Sequence, residues 1–445
     1  MAESGITFKT SSGLIQGAVD ERFGRPIWHF RGIPYEYVEL TGENLDPRKF
    51  GPQCPQPDVD VGHLLRLPKH ISSPHIDQDE FKCLNLNISR PSQADIAGNG
   101  LLPMLVWVHG GSQCVTFASA ATAVCDPTRF TAHSVDFEKP VIIVTVNYRL
   151  NIFAFGDGTG QKNLALQDQR LALEWVSRNI KDFGGDPEQI TLAGESAGAI
   201  YTHAHIVSKS SSSKTDLASR GDTLKDGSAE SLVQALVNCG ISTMWLQQEP
   251  ELEKWEQKVG EVDALMISDT EYKLMLRSSS KLEELYHIHP DRPQSCRHDA
   301  LDIINDARFA LPALEMAERW RKTDGKKIYQ YIVDEANPRQ ASSRAHHAVD
   351  LIFLFGSVDL SFKPGAEAIS RKMREAWLTF IHGGSPWAQS SIQAFGPLGR
   401  YEEIDTTKYR LRRRMGCFEY LRTLGSTKYR EVSGRLGTAR INLLN

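Results

Sequence analysis

The sequence predicts an α/β fold in which a mostly parallel sheet is covered by helices on both faces. Three short apolar runs, at residues 101–109, 140–147 and 189–193, are typical of buried strands. Residues 164–180 carry apolar side chains at helical spacing, which indicates an amphipathic helix. Apolar strands that alternate with helices are characteristic of parallel sheets with both faces buried.

The rest of the chain gives weaker signals. Helices are predicted at 229–237, 244–259, 301–320 and 366–381, and strands at 262–267 and 328–333. Pro312 is expected to kink or break the third of these helices. We find no internal repeat and no linker, so the sequence predicts a single domain over residues 1–445.

Composition and charge exclude several classes of protein. Of 445 residues, 40% are hydrophobic and 24% charged, and the net charge is -4, which is typical of a globular protein without a general attraction to nucleic acid or anionic membranes. The tail from Thr406 has ten Lys and Arg against two Glu. We interpret it as solvated surface, with a nucleic-acid patch as the alternative. We see neither a signal peptide nor a membrane span and expect a cytoplasmic protein.

Residues 194–198 (GESAG) match the pattern G-x-S-x-G, with a strand candidate before them and an apolar run after them. In this context the serine is the nucleophile of α/β hydrolases, held on a tight turn from strand to helix. Glycines flank it because larger side chains would clash, and the helix N-terminus that follows favours developing negative charge. Ser196 is therefore the predicted nucleophile.

His109-Gly110-Gly111 follows the strand candidate at 101–109. Backbone N–H groups of such a glycine-rich turn can bind an oxyanion, although the same pattern also occurs in ordinary turns.

A nucleophilic serine also needs a histidine base held by an acid, and in α/β hydrolases both follow the serine in the chain. Spacing alone does not choose among the histidines that follow: His287, His289, His298, His346, His347 and His382. The seven cysteines contain no C-x-x-C pair and no Cys/His cluster at metal-ligand spacing. We therefore predict neither a metal nor a cofactor.

Several segments together resemble the type B carboxylesterase and cholinesterase family, particularly its fungal members. They are RGIPY (31–35), CLNLN (83–87), VWVHGG (106–111), NYRL (147–150), NLALQDQR (163–170), FGGDP (183–187) and GESAGA (194–199). The resemblance extends in patches from Ile6 to Leu444. It implies an α/β-hydrolase fold with an eight-stranded sheet and a Ser-Glu-His triad.

The resemblance also implies roles for individual residues. Ser196 is the nucleophile, and a Phe-Gly pair that aligns with Phe355-Gly356 selects His347 over His346 as the base. The implied oxyanion donors are the backbone N–H groups of Gly111, Ser112 and Ala197. A family disulfide aligns with Cys54 and Cys83, which we expect to be reduced in a cytoplasmic protein.

The chain departs from the family pattern at two places. One is the glycine-rich turn after His109 that carries the oxyanion donors, called the oxyanion turn below, and the other is the acidic residue of the triad. Ser112 replaces a third glycine, which restricts the backbone and narrows the pocket. Lys273 aligns with the family glutamate, and a charged lysine cannot accept a hydrogen bond from the histidine. Glu271 is the predicted acid, with Asp269 as the alternative.

A third departure concerns the sheet. Residues 209–228 are polar where a strand should follow the nucleophile helix. Either the fold lacks that strand and the sheet closes differently, or the gene model has lost an exon.

The sequence thus predicts a serine carboxylic-ester hydrolase that acts through an acyl-enzyme on a small or medium organic ester. The alternatives are a weak or inactive binding protein on the same fold, and an acyltransferase that uses the same serine. The partner predicted is a small-molecule ester, with no nucleic acid and no membrane, and the sequence leaves the oligomeric state open.

Overall fold

The computed structural model describes residues 4–11, 13–35, 46–58, 61–68, 71, 74–96, 98, 100–117, 119–155, 163–207, 280–287, 302–303, 305–322 and 327–424. The chain divides into two compact units, Met1–Cys239 with Gly325–Glu403, and Gly240–Asp324 with Ile404–Asn445. The single domain predicted from the sequence stays a prediction. Ser196, His347 and the predicted oxyanion donors Gly111, Ser112 and Ala197 lie in the first unit.

A seven-stranded sheet in the first unit has the strand order β1-β2-β3-β4-β6-β5-β7. Its strands are β1 (Ser4–Thr10), β2 (Gly13–Asp20), β3 (Ile27–Pro34), β4 (Asn85–Pro91), β5 (Leu102–Val108), β6 (Ile142–Val146) and β7 (Gly185–Gly194). The pairs from β1 to β4, and β4 with β6, are antiparallel. β6, β5 and β7 are parallel. Their carboxyl ends therefore meet at one edge of the sheet, where open α/β sheets bind ligands.

The helices vary from one turn to five. They are α1 (Val61–Leu64), α2 (Thr128–Asp136), α3 (Ile152–Phe155), α4 (Leu164–Asn179), α5 (Ala197–Val207), α6 (Ser280–Leu285), α7 (Leu311–Arg321), α8 (Val349–Phe355), α9 (Pro364–Ile381) and α10 (Thr406–Arg412). No helix in the described ranges is both long enough and apolar enough to cross a membrane.

Alternate residues of β5 enter two hydrophobic cores, one on each face of the sheet. Leu105 and Trp107 pack in a core that contains residues of α8 and α9. Met104 and Val106 pack in a second core that contains residues of α4. Burial on both faces explains why the strand is apolar at every position.

A separate three-stranded sheet consists of β8 (Gln330–Val333), β9 (Ile392–Phe395) and β10 (Tyr401–Ile404), in the order β10-β9-β8. The resemblance implies one sheet of eight strands, so the described strands differ from that expectation. Residues 208–279 lie outside the described residues, and with them the elements predicted at 229–237, 244–259 and 262–267. The missing strand likewise stays a prediction.

The strands and helices predicted elsewhere are confirmed with small shifts of their ends. The exception is 301–320, where a π-helix at Asp306–Ala310 precedes α7. Pro312 lies in the first turn of α7 and does not break the helix. The helical backbone continues from the π-helix into α7, so the wider π turn lies directly before the proline, whose ring and missing N–H disfavour a regular α turn there.

Cys54 and Cys83 are both buried, and no disulfide joins them in this structure. The expectation of a reduced pair stays a prediction. The sulfur of Cys54 also accepts the N–H of Leu150 at 3.3 Å. A hydrogen bond with Cys54, together with burial, raises the pKa of Cys83. The same hydrogen bond lowers the pKa of Cys54. Both side chains pack in the second core.

Candidate active site

Ser196 lies on the turn between β7 and α5. Its φ is 52°, a left-handed conformation that costs an L-residue about 1–2 kcal/mol. Such a strained turn from strand to helix is what the G-x-S-x-G pattern predicts. Because α5 begins at Ala197, the positive end of its dipole lies beside the serine.

The two motif glycines allow this turn to approach the end of β5. A Cβ on Gly194 would lie 2.6 Å from the carbonyl oxygen of Val108, and a Cβ on Gly198 would overlap the same oxygen. Neither glycine has a positive φ. Both are therefore required by the close approach of two backbone segments.

The turn after β5 presents the N–H groups of Gly111 and Ser112. Their φ angles are 116° and 56°, and a Cβ on Gly111 would overlap the carbonyl oxygen of Val115. Among the described residues, no acceptor binds either N–H. Both donors are therefore available to a substrate oxygen.

The direction of the Gly111 N–H is fixed from the other end of its peptide unit. The carbonyl of Gly110 accepts the N–H of Phe117 at 3.1 Å and lies 2.8 Å from Nδ1 of His109. Because a peptide unit is planar, anchoring its carbonyl also orients its N–H. A carbonyl acceptor requires that Nδ1 of His109 carry the proton.

The other two donors are held in the same way. The carbonyl of Gly111 belongs to the same peptide unit as the N–H of Ser112. It accepts hydrogen bonds of 3.0 and 3.1 Å from the backbone N–H groups of residues 114 and 115. The carbonyl of Ser196, opposite the N–H of Ala197, accepts the N–H of Ile200 at 3.2 Å. All three predicted donors thus belong to anchored peptide units, an arrangement that needs little reorganisation when charge develops.

The structure places His347 beside the nucleophile turn. Its Nε2 lies 2.9 Å from Oε1 of Glu195, the residue that precedes Ser196. Both nitrogens of His346 are engaged elsewhere, Nδ1 with the carbonyl of His347 at 2.8 Å and Nε2 with the amide of Asn337 at 2.9 Å. Of the two adjacent histidines, only His347 has its ring on the Glu195 carboxylate.

Two of the remaining histidine candidates belong to other elements of the structure, and two lie outside the described residues. His382 bonds the carbonyl of Leu378 in α9 at 2.9 Å, and His287 follows α6 in the second unit. His289, His298, Glu271, Asp269 and Lys273 lie outside the described residues. The assignment of Glu271 as the acid stays a prediction.

Gly110 shows how closely these groups meet. A Cβ on Gly110 would overlap Oε2 of Glu195 and would lie 3.1 Å from Cβ of Ser196. The carboxylate and the serine side chain therefore border the same point of the backbone. Since the other carboxylate oxygen contacts His347, all three side chains form one cluster beside the oxyanion turn.

The charges in this cluster are coupled. Burial disfavours the imidazolium of His347, but attraction to Glu195, with a smaller contribution from Asp350, raises its pKa above the ordinary 6.5. Burial and repulsion from Glu195 raise the pKa of Asp350 to about 7. The negative charge beside His347 therefore stabilises its imidazolium form, and Asp350 is close to half-protonated at neutral pH.

Sequence reasoning missed Glu195 and Asp350. Glu195 stands at the variable position of G-x-S-x-G, where the pattern carries no information. Asp350 did give a signal, because it is the one charged residue of the apolar segment VDLIFLF. Within the described ranges, no group of three or more His, Cys, Asp and Glu side chains could hold a metal ion.

Comparisons with known proteins agree with this architecture. A sequence model of the carboxylesterase family matches residues 4–231 and 238–416. Lipase 3 of Yarrowia lipolytica is 28% identical over 437 residues, covering 82% of this chain and 84% of that protein. An inactive carboxylesterase-like protein of Byssochlamys spectabilis is 37% identical over 214 residues, or 46% of this chain and 35% of that protein.

A solved structure of PNB esterase superposes with a TM-score of 0.60 at 20% identity, covering 92% of this chain and 99% of that one. This likeness confirms the α/β-hydrolase fold. The family match extends over most of the chain, including both segments that form the site. The chain therefore belongs to the carboxylesterase family, and it is a carboxylic-ester hydrolase.

Proposed function

We propose that this protein hydrolyses small or medium-sized organic esters through an acyl-enzyme on Ser196, with His347 as the general base. The observation that carries the proposal is the cluster at the end of β7. There, a serine in a left-handed turn is accompanied by three anchored N–H donors, and a histidine contacts the carboxylate of the residue before the serine. These are the nucleophile, oxyanion donors and base that acyl transfer requires.

In the first half of the reaction, Oγ of Ser196 attacks the ester carbonyl carbon. The hydroxyl proton passes to the imidazole of His347, and the carbonyl π electrons move onto the oxygen. The N–H groups of Gly111, Ser112 and Ala197 bind that oxyanion. When the intermediate collapses, the bond to the alcohol breaks and the imidazolium protonates the departing alkoxide.

In the second half, water takes the place of the alcohol. His347 removes a proton from water, which attacks the acyl carbon and forms a second oxyanion in the same site. Collapse breaks the bond to Oγ of Ser196, which regains its proton from the imidazolium. The products are the carboxylic acid and the free enzyme.

Ser112 supports the preference for smaller acyl groups. Its side chain lies on the turn that carries two of the donors, where glycine would leave more space. Rates on p-nitrophenyl esters from acetate to palmitate test this preference. We expect kcat/KM to be greatest for short and medium chains, and a maximum at palmitate would contradict the size class.

The nucleophile is tested with a fluorophosphonate probe. We expect the wild type to label covalently and Ser196→Ala to lose labelling completely, because the probe reacts with an activated serine. Ser342→Ala is the matched control: Ser342 is exposed and close in sequence to His347, so labelling of this variant should equal that of the wild type.

The same experiment separates the rival functions. A folded wild-type protein that fails to label would contradict the proposal and would favour an inactive binding protein. An acyltransferase would label as well, but an added alcohol or amine would then divert most of the acyl group from water.

A further inference from the structure

The loop between β8 and α8 contains a buried asparagine, Asn337, whose side-chain amide has a determined orientation. The backbone N–H groups of Arg339 and Gln340 both point at one atom of this amide, at 2.9 and 3.2 Å. Only the carbonyl oxygen can accept them, so this atom is Oδ1. The nitrogen Nδ2 therefore faces the other way, 2.8 Å from the carbonyl oxygen of Leu65 and 2.9 Å from Nε2 of His346.

The orientation of Asn337 selects the tautomer of His346. Because Nδ2 of the asparagine is a donor, Nε2 of the imidazole must be the unprotonated nitrogen that accepts from it. The ring proton is then on Nδ1, which donates to the carbonyl oxygen of His347 at 2.8 Å. Burial lowers the pKa of His346, so the ring is neutral at pH 7. In water, neutral histidine favours the opposite tautomer, with the proton on Nε2.

His347 is the second residue of a tight turn that leads into α8. The N–H of Val349 donates to the carbonyl of His346 at 3.1 Å. Ala348, the third residue of the turn, has a φ of 64° and a ψ of 6°, whereas the φ of His347 is not positive. These are the features of a type II turn, which favours glycine or asparagine at its third residue. Alanine adopts a positive φ only at a cost in energy.

We propose that His346, in the tautomer that Asn337 selects, is a positioning residue for His347. Its Nδ1–H holds the carbonyl of the central peptide unit of the turn, which joins His347 to Ala348. This hydrogen bond offsets the strain at Ala348. Without it, the turn would relax towards a conformation in which Ala348 has a negative φ, and the ring of His347 would move with its backbone.

The inference rests on the proposed function, in which His347 is the general base. Such a base must lie within hydrogen-bond distance of the proton that it removes. A displacement of about 1 Å can therefore lower the rate by about 10²-fold. The position of the ring depends on a turn whose strained conformation is held from outside the turn.

The support for the turn extends into the hydrophobic core. Leu65, whose carbonyl accepts from Asn337, is a buried member of the first core. The backbone N–H of Asn337 donates to the carbonyl of Arg344 at 3.0 Å, which closes the loop that carries the two histidines. A continuous series of hydrogen bonds thus connects the core, Asn337, His346 and the carbonyl of His347.

Two substitutions of His346 separate the donor from the rest of the side chain. His346→Gln has no donor at the position of Nδ1, and we expect kcat on p-nitrophenyl acetate to fall about 10-fold or more, with little change in KM. His346→Asn places an amide nitrogen where Nδ1 lies, and kcat should stay within about threefold of the wild type. Equal losses in both variants would contradict the inference. His75→Gln makes the same change at an exposed histidine and should leave kcat unaltered.

Ala348→Gly tests whether the hydrogen bond acts by offsetting strain. Glycine adopts a positive φ without a steric cost, so the turn should depend less on His346 in this background. The loss of kcat caused by His346→Gln should then shrink from about 10-fold to about threefold or less, a coupling that a double-mutant cycle measures. An equal loss in both backgrounds would show a purely structural role of His346 and would overturn the inference.

Nitrogen-15 NMR of protein labelled at histidine reports the tautomer directly, with the signal of His346 assigned from its loss in His346→Gln. We expect the wild-type proton on Nδ1. Asn337→Asp replaces the donor with an acceptor and should place a proton on Nε2 of His346. A wild-type ring protonated on Nε2 would overturn the inference, and this measurement needs only the unmodified protein.

These measurements distinguish the inference from the function on which it rests. Wild-type protein that labels with the fluorophosphonate while His346→Gln retains full kcat would refute the role of His346 and leave the proposed function intact. Folded wild-type protein that fails to label would instead overturn the proposed function, and with it any role of His346 in catalysis, whichever tautomer the NMR spectrum shows.

Discussion

His109 anchors the peptide unit that presents the Gly111 N–H. Its ring lies against that of Tyr148, with centroids 4.3 Å apart, and the Tyr148 hydroxyl donates to the carbonyl of His109 at 2.6 Å. Burial lowers the pKa of His109 to about 4. At neutral pH the ring is therefore uncharged, and the proton on Nδ1 is the one that bonds the Gly110 carbonyl.

Replacing His109 with Phe keeps a ring against Tyr148 but removes the donor to Gly110. We expect kcat to fall roughly 10-fold, less than the loss of about 10²-fold or more that follows removal of an oxyanion donor itself. KM should stay close to the wild-type value. His109→Asn, whose amide nitrogen can replace Nδ1, should restore most of kcat. Steady-state kinetics showing equal losses in both variants would contradict this role.

The sequence predicts the groups of the site better than the way they are held. Motifs and resemblance identify Ser196, the oxyanion donors and His347 as candidates, because these roles require particular residue types at particular spacings. The contact of Glu195 with His347 joins residues far apart in the chain. No local pattern encodes such a contact, because only the tertiary fold brings residues 195 and 347 together.

Among the elements, β5, the nucleophile turn and α5 depend on one close approach. Gly198→Ala would place a methyl group on the carbonyl oxygen of Val108. We expect the free energy of unfolding to fall by about 3 kcal/mol or more, because backbone cannot yield as a side chain can. Fluorophosphonate labelling should be lost as well. Denaturant unfolding measures the first effect.

Gly100→Ala is the matched control for this substitution. A Cβ at Gly100, just before β5, has no atom within 4 Å, and the free energy of unfolding should change by less than about 0.5 kcal/mol. A Gly198→Ala variant as stable as this control would show that the turn can relax away from β5.

Periodicity predicts some elements and not others. β5, β6, α4 and α9 follow regular apolar patterns, and the structure confirms them. β4 is different: it is buried at every position although its sequence is NLNISRP. Its polar side chains find distant partners, for example Thr145 for Asn87 at 3.0 Å and the carbonyl of Phe183 for Arg90 at 2.8 Å. Buried polar groups satisfied by tertiary contacts hide a strand from analysis of hydrophobic patterns.

At the scale of the whole molecule, buried histidines link stability to pH. Burial lowers the pKa of His109, His133 and His205 to about 4, so the unfolded chain binds protons that the folded chain does not. The stability they contribute is complete above their ordinary pKa of 6.5 and is lost as pH falls towards 4. Asp350 acts in the opposite sense, because its folded pKa of about 7 exceeds its ordinary value of 3.8.

We therefore expect the free energy of unfolding to decrease between about pH 6.5 and pH 4, with a net uptake of about two protons on unfolding. Urea denaturation at a series of pH values gives this number from the slope. His109→Asn should reduce the uptake by about one proton. A free energy that stays constant or rises as the pH falls through this interval would contradict the expectation.

The anchored oxyanion turn has a consequence for enzyme engineering. Both donors of this turn, at Gly111 and Ser112, are backbone N–H groups. The side chains at 112 and 113 can therefore be randomised in a directed-evolution library without deleting a donor. Both residues have a positive φ, 56° and 64°, which Gly, Asn and Asp adopt at the lowest cost. A small library of these three residues at the two positions would vary acyl-chain selectivity while keeping the hydrogen bonds to the oxyanion.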